Sequence, residues 1–331
     1  MITRAIHLKA RPTGFPVPEQ FELVEHELPA LADGTALVEN VHLSVDPYMR
    51  ELMDEGWEPG AQCGTGRAVG RVVASREPSW PVGTVVAHGE GWSTHATLRA
   101  GHPGARILQL HDGIPLSAHL SVLGGTGLTA YVGLVEILRL KPGETIYVSA
   151  AAGAVGGTAG QLARLLGAGR VIGSAGSAAK VKHVVEDLRF DAAFDYHDGL
   201  GRLAELVPGG LDASLEGVGG AHLEAAIGAT KEFGRIAWVG AISQYHDAAN
   251  PPPAPRNLYR VADYSLQLRG YQVRHHLRLR PDAEALLVPA IRDGRILVDE
   301  TVVRGFDQVV PAFLGMLRGE NVGKMIVAIA D

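Results

Sequence analysis

Thr145-Ile146-Tyr147-Val148-Ser149-Ala150-Ala151-Ala152-Gly153-Ala154-Val155-Gly156-Gly157 is the stretch that decides the fold of this chain. A strand over 145–150 runs into a turn of small residues, and a helical stretch over 154–166 follows at once. The start of a helix presents unpaired backbone N–H groups and the positive end of the helix dipole, so a strand–turn–helix of this kind suits a pyrophosphate. A side chain at Gly153 would hold the phosphate away, and one at Gly156 would push the helix off the strand. The first glycine of the usual G-x-G-x-x-G is Ala151 here, so the motif rests on its place between strand and helix. Its candidate contacts are Ala152, Gly153, Ala154, Val155 and Gly156.

Outward from the turn the pattern alternates. Strands are expected over 170–174, 192–196, 211–216 and 235–241, with helices from about 178, over 200–206 and over 221–230. Repeated βα alternation predicts a parallel, doubly wound sheet, closed by one more strand over 266–273. Before it, 126–139 reads as a helix ending at Lys141-Pro142-Gly143, and the first third carries short strands (36–45, 67–73, 84–88) separated by glycine turns, the pattern of a small barrel. Asn250-Pro251-Pro252-Pro253-Ala254-Pro255 reads as a surface loop. The tail gives a helix over 282–293, a strand over 301–303, a helix over 309–315 and a strand over 325–329, a return to the first domain. The expected division is 1–122, 123–290 and 291–331.

The end of the strand after the glycine turn selects the cofactor. NAD sites commonly place an acid there to hold the ribose hydroxyls. Arg170-Val171-Ile172-Gly173-Ser174-Ala175-Gly176-Ser177 has none, and Lys180 follows three residues on. NADP(H) is therefore expected over NAD(H), with Lys180 facing a 2′-phosphate; the plainer reading of Lys180 is an exposed helix lysine.

The totals narrow the class. A length of 331 residues suits two domains, and a net charge of -6 disfavours nucleic acid. The short basic run 274–280 reads as a solvated loop or helix start. A single cysteine, Cys63, excludes an internal disulfide and points to a reducing compartment. Neither a signal peptide nor a membrane span is legible, so a cytoplasmic protein is expected. A catalytic zinc needs three convergent ligands; Cys63 is followed by Gly64-Thr65-Gly66 rather than by ligands, and His95, His102, His111 and His119 are dispersed. A metal-free protein is the expectation. Cys63 reads as a small buried residue.

Several segments carry a resemblance over essentially the whole length: Val45-Asp46-Pro47-Tyr48-Met49-Arg50, Gly91-Trp92-Ser93-Thr94-His95, Gly127-Leu128-Thr129-Ala130-Tyr131, the glycine turn, Phe233-Gly234-Arg235-Ile236-Ala237, Gly240-Ala241-Ile242-Ser243-Gln244-Tyr245 and the stretch 316–324 with Asn321-Val322-Gly323-Lys324. On these the chain resembles the zinc-free prostaglandin reductase and alkenal double-bond reductase group of the medium-chain dehydrogenase/reductase superfamily. The resemblance implies an α/β fold made of a GroES-like β-barrel catalytic domain and a Rossmann domain. It also implies NADPH/NADP+ held by residues matching Lys180, Tyr196, Tyr245 and Asn321, with Gly176 and Ser177 at the 2′-phosphate end. By the same resemblance Ala241 and Ser243 fall in the matching segment near the cofactor, Tyr48 is expected on the substrate side, and a homodimer through an edge strand near 266–273 is implied. Two positions depart from the family: Gly217 stands where asparagine is usual in Asn-Val-Gly-Gly, and Asp263, flanked by Tyr259 and Tyr264, stands where many members carry tyrosine.

Without a metal, the chemistry expected is hydride transfer to an already electrophilic carbon, the β-carbon of an enone or enal. A donor at the carbonyl oxygen lowers that barrier. Tyr48 and the cofactor ribose hydroxyl are the first candidates, with Tyr259 and Tyr264 behind them; the plain alternative for Tyr48 is packing against the barrel. The alternatives to enone reduction are an NADPH quinone reductase and a non-catalytic NADPH-binding protein.

Overall fold

The computed structural model describes residues 1–102, 104–245 and 250–330. The first part of the chain is strand-rich: β1 (Ile2–Leu8), β2 (Phe21–Glu27), β3 (Thr35–Ser44), the short helix α1 (Met49–Glu55), β4 (Ala68–Ser75), β5 (Val85–His88), β6 (His95–Arg99) and β7 (Arg106–Ile107). β1 and β2 form an antiparallel hairpin of their own. The others build a sheet ordered β14-β15-β3-β4-β5-β7, with β6 also on β3. The two strands at one end of this order come from the tail: β14 (Glu300–Arg304) lies parallel to β15 (Lys324–Ala328), and β15 runs antiparallel to β3. Between them α9 (Val309–Leu317) buries Phe313, Leu314 and Leu317 against Trp92 and Met49 of the first part.

The helix expected over 126–139 is α2 (Gly125–Tyr131) continued as a wider π turn over Val132–Ile137. A Cβ at Gly133 would lie 2.5 Å from both Leu215 Cδ1 and Tyr271 Oη, so the chain passes against the parallel sheet at this point. A π turn absorbs one extra residue where close packing prevents a regular continuation.

The parallel sheet follows: β8 (Thr145–Val148), α3 (Ala154–Leu165), β9 (Arg170–Ala175), α4 (Ala178–Glu186), β10 (Ala192–Asp195), α5 (Arg202–Leu206), β11 (Leu211–Glu216), α6 (Gly220–Ala229), β12 (Thr230–Trp238), α7 (Tyr259–Asp263) and β13 (Gln267–Gly270), then α8 (Arg280–Arg292). Its order among the described residues is β10-β9-β8-β11-β12-β13, all parallel. The chain thus combines an N-terminal sheet domain with a Rossmann-like domain. Buried Val148, Leu162, Val171, Ala213 and Leu215 supply the core of that second part, which the near-continuous apolar strands dictate. The strand expected at 266–273 is limited to Gln267–Gly270, and a 3-10 segment follows at Val273–His275. Residues 250–255 form neither helix nor strand. Among the described residues no helix is long and apolar enough to cross a membrane.

Candidate functional site

The sheet order reverses between β8 and β11, and α3 packs with Ile146 and Val148 on one face while α6 packs with Tyr147 and Ile172 on the other. A crevice must open there at the carboxyl ends of the strands. The turn 149–153 lies at its centre. Ala150 adopts the left-handed region (φ 47°), and a Cβ on Gly156 would lie 2.3 Å from its carbonyl oxygen, so only glycine lets α3 start this close to the strand. The methyl that Ala151 adds in place of the usual glycine is accommodated across the sheet: a Cβ on Gly173 of β9 would lie 2.6 Å from it. Gly153 is the N-cap of α3 and no side chain caps the helix, so the N–H groups of Ala154, Val155 and Gly156 have no side-chain partner there.

The next strand end gives the second group of residues. Gly176 and Ser177 follow β9, and Ser177 Oγ accepts the Lys180 backbone N–H at 3.3 Å, capping α4. Lys180 Nζ donates to the Gly319 carbonyl at 2.5 Å, and partial burial lowers the pKa of its ammonium. Tyr196, just after β10, has its hydroxyl 2.9 Å from where a Gly176 Cβ would lie. His197 and His222 flank its ring at 4.2 Å and 5.0 Å. Burial lowers the pKa of His222 to about 4, so this neighbour is neutral.

Around the crevice the remaining loops are tied to one another. Gly217 N–H donates to Ser149 Oγ at 2.9 Å, and Ser243 Oγ donates to the Val218 carbonyl at 2.6 Å. Ala241 N–H donates to Tyr245 Oη at 3.3 Å. Gly323 N–H donates to the Ala152 carbonyl at 2.8 Å, and Asn321 Nδ2 to the Gly323 carbonyl at 2.7 Å. The tail segment 319–323 therefore reaches both the glycine turn and Lys180. Sequence reasoning passed over Glu216. Fully buried at the end of β11, its carboxylate accepts the N–H groups of Val218 (3.0 Å) and Gly219 (2.7 Å), shaping the loop that lacks the family's asparagine. Burial raises its pKa to about 7 against those hydrogen bonds. The signal was present in the sequence as an acid two and three residues before backbone groups of a glycine loop.

A cleft of 680 Å³ opens between α1 and the second part of the chain, lined by Glu51 and Asp54 on one side and by Ala241, Tyr245, Tyr271 and His275 on the other. Tyr48 precedes Met49 at the start of α1, one turn before Glu51, and is half-buried; it is not itself among the described residues that line this cleft. Arg67 lies over its ring, 5.7 Å from the centroid, and Arg67 in turn pairs with Asp46 at 3.6 Å. Burial would raise the Asp46 pKa, but Arg67 and Lys324 (3.4 Å away) overcome it and keep the group ionised. Burial, then the Asp46 charge, raises the pKa of the Tyr48 phenol, leaving it a neutral donor.

Tyr259 and Tyr264 are not brought to this cleft. Tyr259 is 79% exposed at the start of α7. Tyr264 carries Arg260 3.5 Å above its ring, packs on Leu223, Ile227 and Leu266, and is not among the described residues that line the cleft. Five consecutive residues make only one short helix, and its sequence shows no face that would turn either ring inward. Cys63 is buried in the core with Met49, Met53 and Trp92, and burial raises its thiol pKa. Among the described residues, no three His, Cys, Asp or Glu side chains converge as a metal site would need.

Two family models match the chain: the N-terminal domain of oxidoreductase over residues 4–104, and zinc-binding dehydrogenase over residues 154–286. Among curated proteins, prostaglandin reductase 1 of Bos taurus is 40% identical over 326 residues, covering 97% of each chain. The NADP(+)-dependent 2-alkenal reductase of Nicotiana tabacum is 33% identical over 342 residues, covering 99% of this chain and 97% of that one. Among solved structures, CurA from Vibrio vulnificus in complex with NADPH superposes with a TM-score of 0.90 at 32% identity, over 99% of both chains.

Proposed function

The chain belongs to the zinc-free prostaglandin reductase and alkenal reductase group of the medium-chain dehydrogenase/reductases, and from that premise we propose that it reduces the C=C bond of α,β-unsaturated ketones and aldehydes with NADPH. The observation that carries this reading is the convergence of the uncapped α3 turn, the acid-free end of β9 and Lys180 on one crevice beside an open cleft. The reductases named above support it, since each matches the chain almost end to end.

The residues present fit NADPH. The Gly156 contact brings the α3 N-terminus against the turn, where a pyrophosphate would meet Ala152, Gly153, Ala154, Val155 and Gly156. Gly176, Ser177, Lys180 and Tyr196 would take the 2′-phosphate end. Gly217, Ala241, Ser243, Tyr245 and Asn321 would hold the remainder. Bound there, NADPH supplies the hydride equivalent that the C=C bond takes up.

The chain's own part is to hold, orient and donate. The Glu216 and Ser149 hydrogen bonds keep the 217–220 loop in place, so no backbone reorganisation is needed when a ligand arrives. Tyr48, neutral and backed by Arg67, is the proposed donor to the substrate carbonyl oxygen, since it lies within one turn of Glu51 on the cleft wall, whereas Tyr259 and Tyr264 sit at α7. Protonation of the α-carbon then draws on solvent in the open cleft.

The same reading includes the division 1–122, 123–290 and 291–331, supported by the membership of β14 and β15 in the first sheet. It also includes a homodimer through β13, which ends the parallel sheet with no strand beyond it among the described residues. A cytoplasmic location accords with one buried cysteine. The test is NADPH oxidation with an enone, a para-quinone and no acceptor. The enone should be preferred. A faster quinone would favour quinone reduction, and tight NADPH binding with no turnover would favour a non-catalytic role.

A further inference from the structure

We propose that Glu51 selects substrates by charge, so that this cleft takes neutral or cationic enones and turns away those carrying a carboxylate. The inference rests on the reductase reading and deepens it. Of the described residues that line the cleft, Glu51 and Asp54 are acidic and none is lysine or arginine. The two acids are not equivalent. Asp54 is matched by Arg50, whose Nη1 lies 2.8 Å from its carboxylate. Arg50 is itself buried and spends its other nitrogens on the Gly14 carbonyl, at 3.2 Å and 2.9 Å. Arg11, which reaches the end of α1 from beyond β1, is taken up by the Met53 and Asp54 carbonyls and by Glu58. Local positive charge is thus consumed before it reaches Glu51.

Glu51 is solvent-exposed on the cleft wall, with its negative charge uncompensated by these cations. Across the cleft stand Gln272, His275 and Tyr245. Glu51 and Tyr245 line the same cleft, and burial raises the pKa of the Tyr245 phenol, opposed by the Ala241 N–H and aided by the Glu51 charge. A substrate tail that leaves the reacting end through this cleft passes between these walls, and a carboxylate on it would meet Glu51 in partly excluded water, where repulsion exceeds its bulk value.

The experiment uses the NADPH-loaded enzyme and a matched pair: a long-chain enone with a terminal carboxylate and its methyl ester. The ratio of kcat/KM for ester over acid should exceed about three- to tenfold at low ionic strength and shrink as salt is added. Glu51→Gln should bring the ratio toward one, and Glu51→Lys should invert it; position 51 is exposed, so both variants should fold. A wild-type ratio near one, or a ratio that neither variant moves, overturns the proposal. Turnover of neither compound despite tight NADPH binding overturns the reductase reading, and the selectivity falls with it.

Discussion

Lys180 and Gly319 lie 139 positions apart in the chain, yet the lysine Nζ donates to the glycine carbonyl at 2.5 Å. The cation proposed to read the cofactor's extra phosphate is thereby aimed by the tail, which also reaches Ala152 through Gly323. Lys180→Ala should raise KM for NADPH by at least about tenfold while changing KM for NADH by less than about threefold, since only one carries the 2′-phosphate. Equal losses in steady-state assays with both cofactors would mean that the lysine faces something else. Because burial lowers the Lys180 pKa, NADPH affinity should also fade at a lower alkaline pH than a fully exposed lysine would give.

Gly156→Ala places a Cβ 2.3 Å from a backbone carbonyl, which cannot rotate away. The expected cost is about 1–3 kcal/mol in urea unfolding, with a larger relative loss of NADPH affinity because the α3 N-terminus moves. A variant as stable as the parent would refute the close approach.

Glu216 gives a pH signature. Its folded pKa of about 7 lies above the ordinary 4.5, so the native state retains a proton that the unfolded chain has released. Stability contributed by this group therefore falls as pH rises from about 4.5 to about 7, by about 3 kcal/mol at most. Glu216→Gln should flatten that slope in unfolding measured at several pH values; an unchanged slope would place the carboxyl in water.

His183 has the same sign, but neighbouring charge rather than burial sets it. It bridges Asp187 at 2.8 Å and Asp299 at 3.1 Å, joining α4 to the segment before β14. Burial opposes its charge, but the two acids prevail and raise its pKa. Its stabilisation is full below the unfolded imidazole's pKa of about 6.5 and is lost as pH rises through the higher folded value. His183→Ala should cost more stability at pH 6 than at pH 9, and a pH-independent difference would remove the bridge from the account.

The parallel sheet was legible because its central strands are short apolar runs bounded by turn residues, as at 211–216, where expectation and structure coincide. The glycine turn was legible for the same reason. Contacts between distant segments were not: neither the Gly173 space for Ala151 nor the Lys180–Gly319 bond leaves a periodic trace. The hairpin of β1 and β2 and the helix α1 were also passed over, since β2 buries little beyond Phe21 and α1 is too short to show a face. Tyr259 and Tyr264 illustrate the limit. Residue type suggested a proton donor, but only the packing of Tyr264 on α6 and the exposure of Tyr259 show which way the segment turns.

Isotope transfer reads directly which bond the enzyme reduces. NADPH deuterated at the transferable C4 position should deliver its label to the β-carbon of an enone, giving a saturated ketone with the carbonyl intact. Label at the carbonyl carbon with an allylic alcohol as product, or no label in any product while a quinone is consumed, would contradict the account.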